Sequence, residues 1–185
     1  MTEHNHSAVA TREKVAETLR VGGWLAFWVQ LVLLATSAVI LLFAIADPGF
    51  NVNFKSLFRL APTLGALIAL GLSVYWHWQY VQFSHRLRSP DPAVYPSRAQ
   101  VTQTLEKGVN LNLIALLLTL IAAQSVISAL LIKVLSMPAG IAVAQSGQLI
   151  EPLDIFVVQA CIFLIIAEFV GIAIAFRLLK QLHHP

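Results

Sequence analysis

The sequence predicts an all-α integral membrane protein with four spans, and three observations carry that prediction. Of its 185 residues 58% are hydrophobic and 11% charged, with a mean hydropathy of +0.77, whereas an ordinary soluble domain is about 25% charged. The charges are segregated: Trp24–Ala46, Ala61–Phe83, Val109–Ile132 and Leu153–Phe176 hold 94 residues and two charges, and the other 91 residues hold 19. Each segment is 23 or 24 residues long, and a hydrocarbon core of about 30 Å takes about 20 helical residues. Such a chain lacks the polar surface of a soluble globular enzyme.

The elements follow in order. Residues 1–23 form an N-terminal arm, 24–176 a four-span membrane domain, and 177–185 a tail. The arm has three glutamates and no apolar core, which fits neither a secretory signal nor an Arg-rich transit peptide. Thr11–Leu25 and Ser97–Leu111 align at an offset of 86 with six identities in 15 positions. Val15 with Leu19, and Val101 with Leu105, put apolar pairs on one helical face. Ser97 and Gln100 have capping-box spacing. Each stretch therefore predicts a short interfacial helix ending at Gly22 or Gly108. The two helix pairs also leave the membrane alike, in Arg86–Arg88 and Arg177–Lys180. The whole reads as two repeated helical hairpins, each preceded by an interfacial helix and related by an axis along the membrane normal. Pro90, Pro92 and Pro96 punctuate the halves, and Asp154 stands where it could cap the fourth helix.

Lys and Arg residues set the expected orientation. Nine lie in the arm, the central loop and the tail, and three in the alternate loops, so both termini are expected in the cytoplasm, or in the stroma of a plastid. These basic residues flank spans, which points to topology and not to nucleic acid. Trp24, Trp28, Trp76, Trp78 and Tyr80 fall near the same interface, where an aromatic belt is expected.

Polar residues inside spans are the functional clue, because they are costly in lipid and face protein or a wet cavity. Gln30, His77 and Glu168 fall roughly 9–12 Å below the cytoplasmic boundary at about 1.5 Å per residue, with Asn112 somewhat shallower. Gln124 and Gln159 share a second depth on the opposite side. Glutamines and asparagines cross-link helices, and the Gln124 and Gln159 layer reads as packing of that kind. Glu168 can ionise, and paired with His77 it would make a proton relay or cation site. His77 could equally snorkel between its tryptophan neighbours. Its lone position within the spans argues against bis-histidine haem ligation. His4 and His6, with His183 and His184, form two terminal clusters that could collect a transition metal. No supporting shell for them is legible. Cys161, the single cysteine, has nothing to pair with in one chain. No phosphate loop, metal-protease motif, nucleophile elbow or carboxylate pair is present, so neither an enzyme nor a resident cofactor is expected.

Phe27–Val32 (FWVQLV), Ser37–Leu41 (SAVIL), Arg86–Pro92 (RLRSPDP) and Leu153–Ala160 (LDIFVVQA) together resemble the family of the chloroplast inner-envelope protein described both as a protein-import translocon component and as an iron permease. The resemblance runs from about Arg20 to Leu179, and the arm's composition suggests a cyanobacterial member. It implies a four-span protein with a transport-related role. The two readings are a permease or permease subunit for iron or another cation, with Gln30, His77, Asn112 and Glu168 lining its cytoplasmic half, and a non-transporting scaffold or component of a translocation or assembly complex. Iron asks for carboxylate or imidazole ligands, and one chain offers only Glu168 and His77 within the spans, so a homo-oligomer or larger complex is expected. Small residues at Ala35, Ser37 and Ala38, and at Gly171, Ala173 and Ala175, would permit close helix contact.

Overall fold

A computed structural model describes residues 2–46, 54–136 and 152–183, with side-chain surroundings for 12–46, 61–132, 134–136 and 155–182. Four long helices make up almost all of it: α1 (Thr2–Ala46), α2 (Phe54–Leu87), α3 (Arg98–Leu135) and α4 (Pro152–His183). Each predicted span lies inside one helix. Arg12–Ala46, Pro92–Ile132 and Ile155–Leu182 contain stretches long and apolar enough to cross a membrane. The surface of the bundle is apolar, with Phe43 69%, Ile68 67% and Phe169 65% exposed, the inverse of a water-facing bundle.

The helices pack in cyclic order, each against its two sequence neighbours, with α4 closing on α1 and only a slight diagonal between α2 and α4. Cross-helix neighbours fix the up-down-up-down sense. On α1 and α4, Gly22 faces Ile174 and Leu178, Gln30 reaches Ala167, and Ser37 bonds Ala160. On α1 and α2, Ser84 Oγ donates to the Ala16 carbonyl at 2.6 Å, and Gly23 sits against Val81. As the number rises on one helix it falls on its partner.

The expected interfacial helices are absent as separate elements. Thr11–Leu25 lies within α1 and Ser97–Leu111 forms the N-cap and first turns of α3, and both helices run unbroken through Gly22 and Gly108. No described glycine has a positive φ, so neither takes the left-handed cap that would end a helix. The glycines instead admit a neighbour. A Cβ at Gly23 would lie 2.9 Å from Val81 Cγ2, and one at Gly108 would collide with the Tyr80 hydroxyl. What stands the segments upright is a collar of Leu19, Tyr80, Val101, Leu105 and Leu178, all buried and drawn from all four helices. These buried contacts, one or more from every helix, hold the two stretches against the bundle.

Equivalent positions of the two stretches behave alike. Thr18 Oγ1 donates to the Lys14 carbonyl and Thr104 Oγ1 to the Gln100 carbonyl, both at 2.9 Å, while Leu19 and Leu105 share the collar. Ser97 and Gln100 form the expected capping box, after a short 3₁₀ turn (Pro92–Val94) capped by Asp91. Asp154 is the third residue of α4, which starts at Pro152, so it does not precede the helix as a cap would.

The aromatic belt is partly corrected. Trp24, Trp28 and Trp78 are exposed on the outer surface, but Tyr80 is fully buried in the collar and Trp76 is half-buried against it. Tyr80 stands on the same face of α2 as Ser73 and His77, which points inward. Leu105→Ala is expected to cost about 2–5 kcal/mol, the range for emptying a buried leucine site, read as a lowered unfolding midpoint in detergent. Leu117→Ala, on the outer surface, should change stability by less than about 0.5 kcal/mol.

Candidate functional site

The centre of the bundle holds a layer of fully buried polar side chains: Gln30 from α1, Ser73 and His77 from α2, Asn112 from α3 and Glu168 from α4. Their helices are otherwise lined by small residues at this level, including Ala26, Ala69, Ala115 and Ala167. Small side chains bring the axes close enough for short polar groups to meet across them.

Gln30 is the hub. Its Nε2 donates to Asn112 Oδ1 and to the Ala167 carbonyl, both at 3.1 Å, and its Oε1 accepts from Ser73 Oγ at 3.0 Å. One side chain thus ties α1 to the other three helices. Asn112 Oδ1 is also within 2.5 Å of Ser73 Oγ, and Asn112 Nδ2 donates back to the Gly108 carbonyl at 3.0 Å. The single Ser73 hydroxyl proton is therefore contested by the Gln30 and Asn112 oxygens.

His77 joins through Ser73. Its Nδ1 lies 2.8 Å from the Ser73 carbonyl oxygen and 3.5 Å from Ser73 Oγ. A carbonyl can only accept, so Nδ1 donates to it, which leaves Nε2 as the other ring nitrogen, with the Gly171 backbone of α4 close to the ring. That nitrogen has no hydrogen-bond partner, and neither do the two Glu168 carboxyl oxygens or the Tyr80 hydroxyl. The His77 ring stands edge-on to Tyr80, with centroids 5.0 Å apart and planes at 69°.

Gly171, one turn beyond Glu168, makes the arrangement possible. A Cβ there would collide with the Gln30 amide nitrogen and sit 2.9 Å from both Asn112 amide atoms. The gap left by its missing side chain is filled by the amides.

The sequence-predicted residues are distributed as follows. Gln30 and Asn112 are bonded directly, His77 reaches them through Ser73, and Glu168 lies beside Ala167, whose carbonyl Gln30 holds. A hydrogen-bonded His77 and Glu168 pair is not formed, because His77 Nδ1 is spent on its own helix and the Glu168 oxygens are unpartnered. His77 does not snorkel, being fully buried. The expected Gln124 and Gln159 layer is also corrected. Gln124 is exposed, and its Nε2 donates to Ser128 on its own helix at 3.2 Å, while Gln159 is only half-buried. At that depth the helix-crossing bond is Ser37 Oγ to the Ala160 carbonyl, 3.2 Å. Ser73 was not picked out from sequence, and Gly171 was named only as a small residue permitting close helix contact, the role it has here against the two amides. The spacing of Ser73 and His77, four apart on one face, was the available signal.

Among the described residues no three His, Cys, Asp or Glu side chains converge as a metal site. The side chains of His4, His6, His183 and His184 lie outside the described residues. Cys161 is buried and unpaired by disulfide.

A family described as Protein of unknown function (DUF3611) matches residues 9–183 of the chain. The chain is also similar to "Protein TIC 21, chloroplastic" of Arabidopsis thaliana, with 31% identity over 178 residues, 94% of this chain and 59% of the relative. It thus spans somewhat under two thirds of that relative's length. No solved structure matches.

Replacing Gly171 with alanine is expected to break the Gln30–Asn112 contact and cost about 1–3 kcal/mol, as overpacking does, measured by unfolding in detergent. Gly65→Ala is the matched control, since its Cβ would meet only Leu118 Cδ1, at 3.8 Å. Equal losses in both would show that the effect is generic to helical glycines.

Proposed function

The chain belongs to the DUF3611 family, and from that premise we propose that it is a membrane-embedded, non-transporting component of a protein translocation or assembly complex. Both termini then lie on the cytoplasmic or stromal face, and all four helices cross the membrane. The observation that carries this reading is Gln30, whose amide is fully occupied in joining four helices. Side chains that line a conduction path keep groups free for what passes, whereas both amide protons of Gln30 are spent within the bundle. The similarity to a chloroplast protein named TIC 21 favours the same reading. A four-helix chain cannot itself enclose a pore for a polypeptide, so the bundle serves as a rigid subunit beside partners.

A specific observation favours a second reading, a permease for iron or another cation. Two Glu168 oxygens and His77 Nε2 are buried without partners, and unpaired polar groups in an apolar interior cost about 1–3 kcal/mol each. Glu168 would bind or exchange the cation, with an oligomer completing the ligand set. The chain's residues offer a carboxylate and an imidazole, both suited to iron.

The readings separate experimentally. A photo-cross-linking residue at the exposed Glu13, in native membranes engaged in precursor insertion, is expected to capture a translocation or assembly subunit or the precursor itself. Adducts only to lipid and to copies of the chain would overturn the scaffold reading. In proteoliposomes the scaffold reading expects iron flux no greater than in empty vesicles. Flux well above that level, abolished by Glu168→Gln with oligomer state preserved, would establish the permease instead.

A further inference from the structure

A groove of about 280 Å³ opens between α1 and α4 at the end of the bundle that carries the collar. We propose that it is a binding site for a phospholipid whose headgroup joins a phosphate to hydrogen-bond donors, phosphatidylglycerol being the type. The groove is graded along its length. Glu17, Thr18, Arg177 and Gln181 form its polar end, and Val21 and Leu25 its apolar end. The exposed Trp24 and Trp28 mark the level of the membrane interface on the same helix, so the gradient runs as a lipid does, headgroup outward and chains inward.

The polar groups specify the headgroup. Arg177 is the cation, and a guanidinium matches a phosphate with two parallel donors. The other groups add acceptor oxygens, with the Gln181 amide carrying donors as well. Thr18 has already spent its hydroxyl proton on the Lys14 carbonyl, leaving oxygen lone pairs, Glu17 offers a carboxylate, and Gln181 Oε1 is buried with no donor. One phosphate for Arg177 and hydroxyls for the acceptors describe a phosphoglycerol group. A phosphocholine supplies the phosphate but no donor. The volume falls just short of the roughly 300–1,000 Å³ of drug-sized sites, so it holds a headgroup while the acyl chains lie outside against Val21 and Leu25, which are 57% and 56% exposed.

Native mass spectrometry of the full chain, titrated with phosphatidylglycerol or phosphatidylcholine, tests the site. One phosphatidylglycerol per chain should be retained at least about tenfold more tightly than phosphatidylcholine, and Arg177→Gln should lower that affinity about tenfold, the scale of a hydrogen bond to a charged group. Lys180→Gln, at the same end of α4 but outside the groove, should leave it unchanged, and excess glycerol 3-phosphate should not displace the lipid. Equal retention of the two lipids, or an Arg177→Gln chain that binds as well as the parent, would overturn the proposal. Displacement by glycerol 3-phosphate would overturn it in favour of a soluble phosphate ester. Disulfide-linked dimers through Val21→Cys that form regardless of lipid would assign the groove to a second copy, and would overturn it too.

Discussion

Everything in the bundle is arranged around the requirement that Gln30 find three partners in a medium that offers none. A primary amide without them in an apolar interior costs about 1–3 kcal/mol for each group left unpaired. Water cannot relieve that cost at this depth. Each partner sits on a different helix: Ser73 on α2, Asn112 on α3 and the Ala167 carbonyl on α4. Slipping any helix by one residue moves its partner by about 1.5 Å along the axis and 100° around it, and breaks the bond. The apolar surfaces alone set no such register, because in lipid there is little hydrophobic drive between helices. The amide turns four interchangeable apolar rods into one arrangement. Gly171 and the alanines around it are the steric counterpart, since the layer closes only where no side chain stands in the way.

Much of this was legible in the sequence. The segregation of charge located each span within one helix, because the length of an apolar run is fixed by the bilayer and needs no tertiary information. Gln30, His77, Asn112 and Glu168 were grouped by depth, and the structure buries all four. Depth is a one-dimensional coordinate that a rise per residue supplies.

What was not legible depended on rotation and on partners. Gln124 has the right depth to meet Gln159 but points outward, and depth carries no azimuth. Gly22 and Gly108 read as helix ends because a glycine after an amphipathic stretch often is one. Whether it ends a helix or admits a neighbour is decided by Ile174, Leu178 and Tyr80, which lie far away in sequence. Tyr80 was grouped with the outer tryptophans by proximity along the chain, yet lies two positions from the exposed Trp78 and so on a different face. Ser73, a single small hydroxyl in an apolar helix, differs from the Ser and Thr residues that merely bond their own backbone, such as Thr36 and Ser125, only in standing four residues before His77.

The continuity of α1 through its paired glycines has a mechanical meaning. At 45 residues it is a rod of about 68 Å at 1.5 Å per residue, more than twice the ~30 Å thickness of the hydrocarbon core. A surface helix hinged at Gly22 would absorb a sideways load as rotation at the joint. Without a joint at Gly22, the outer turns and the turns that carry Gln30 belong to one continuous helix, held to its neighbours at the collar and again at the buried amide.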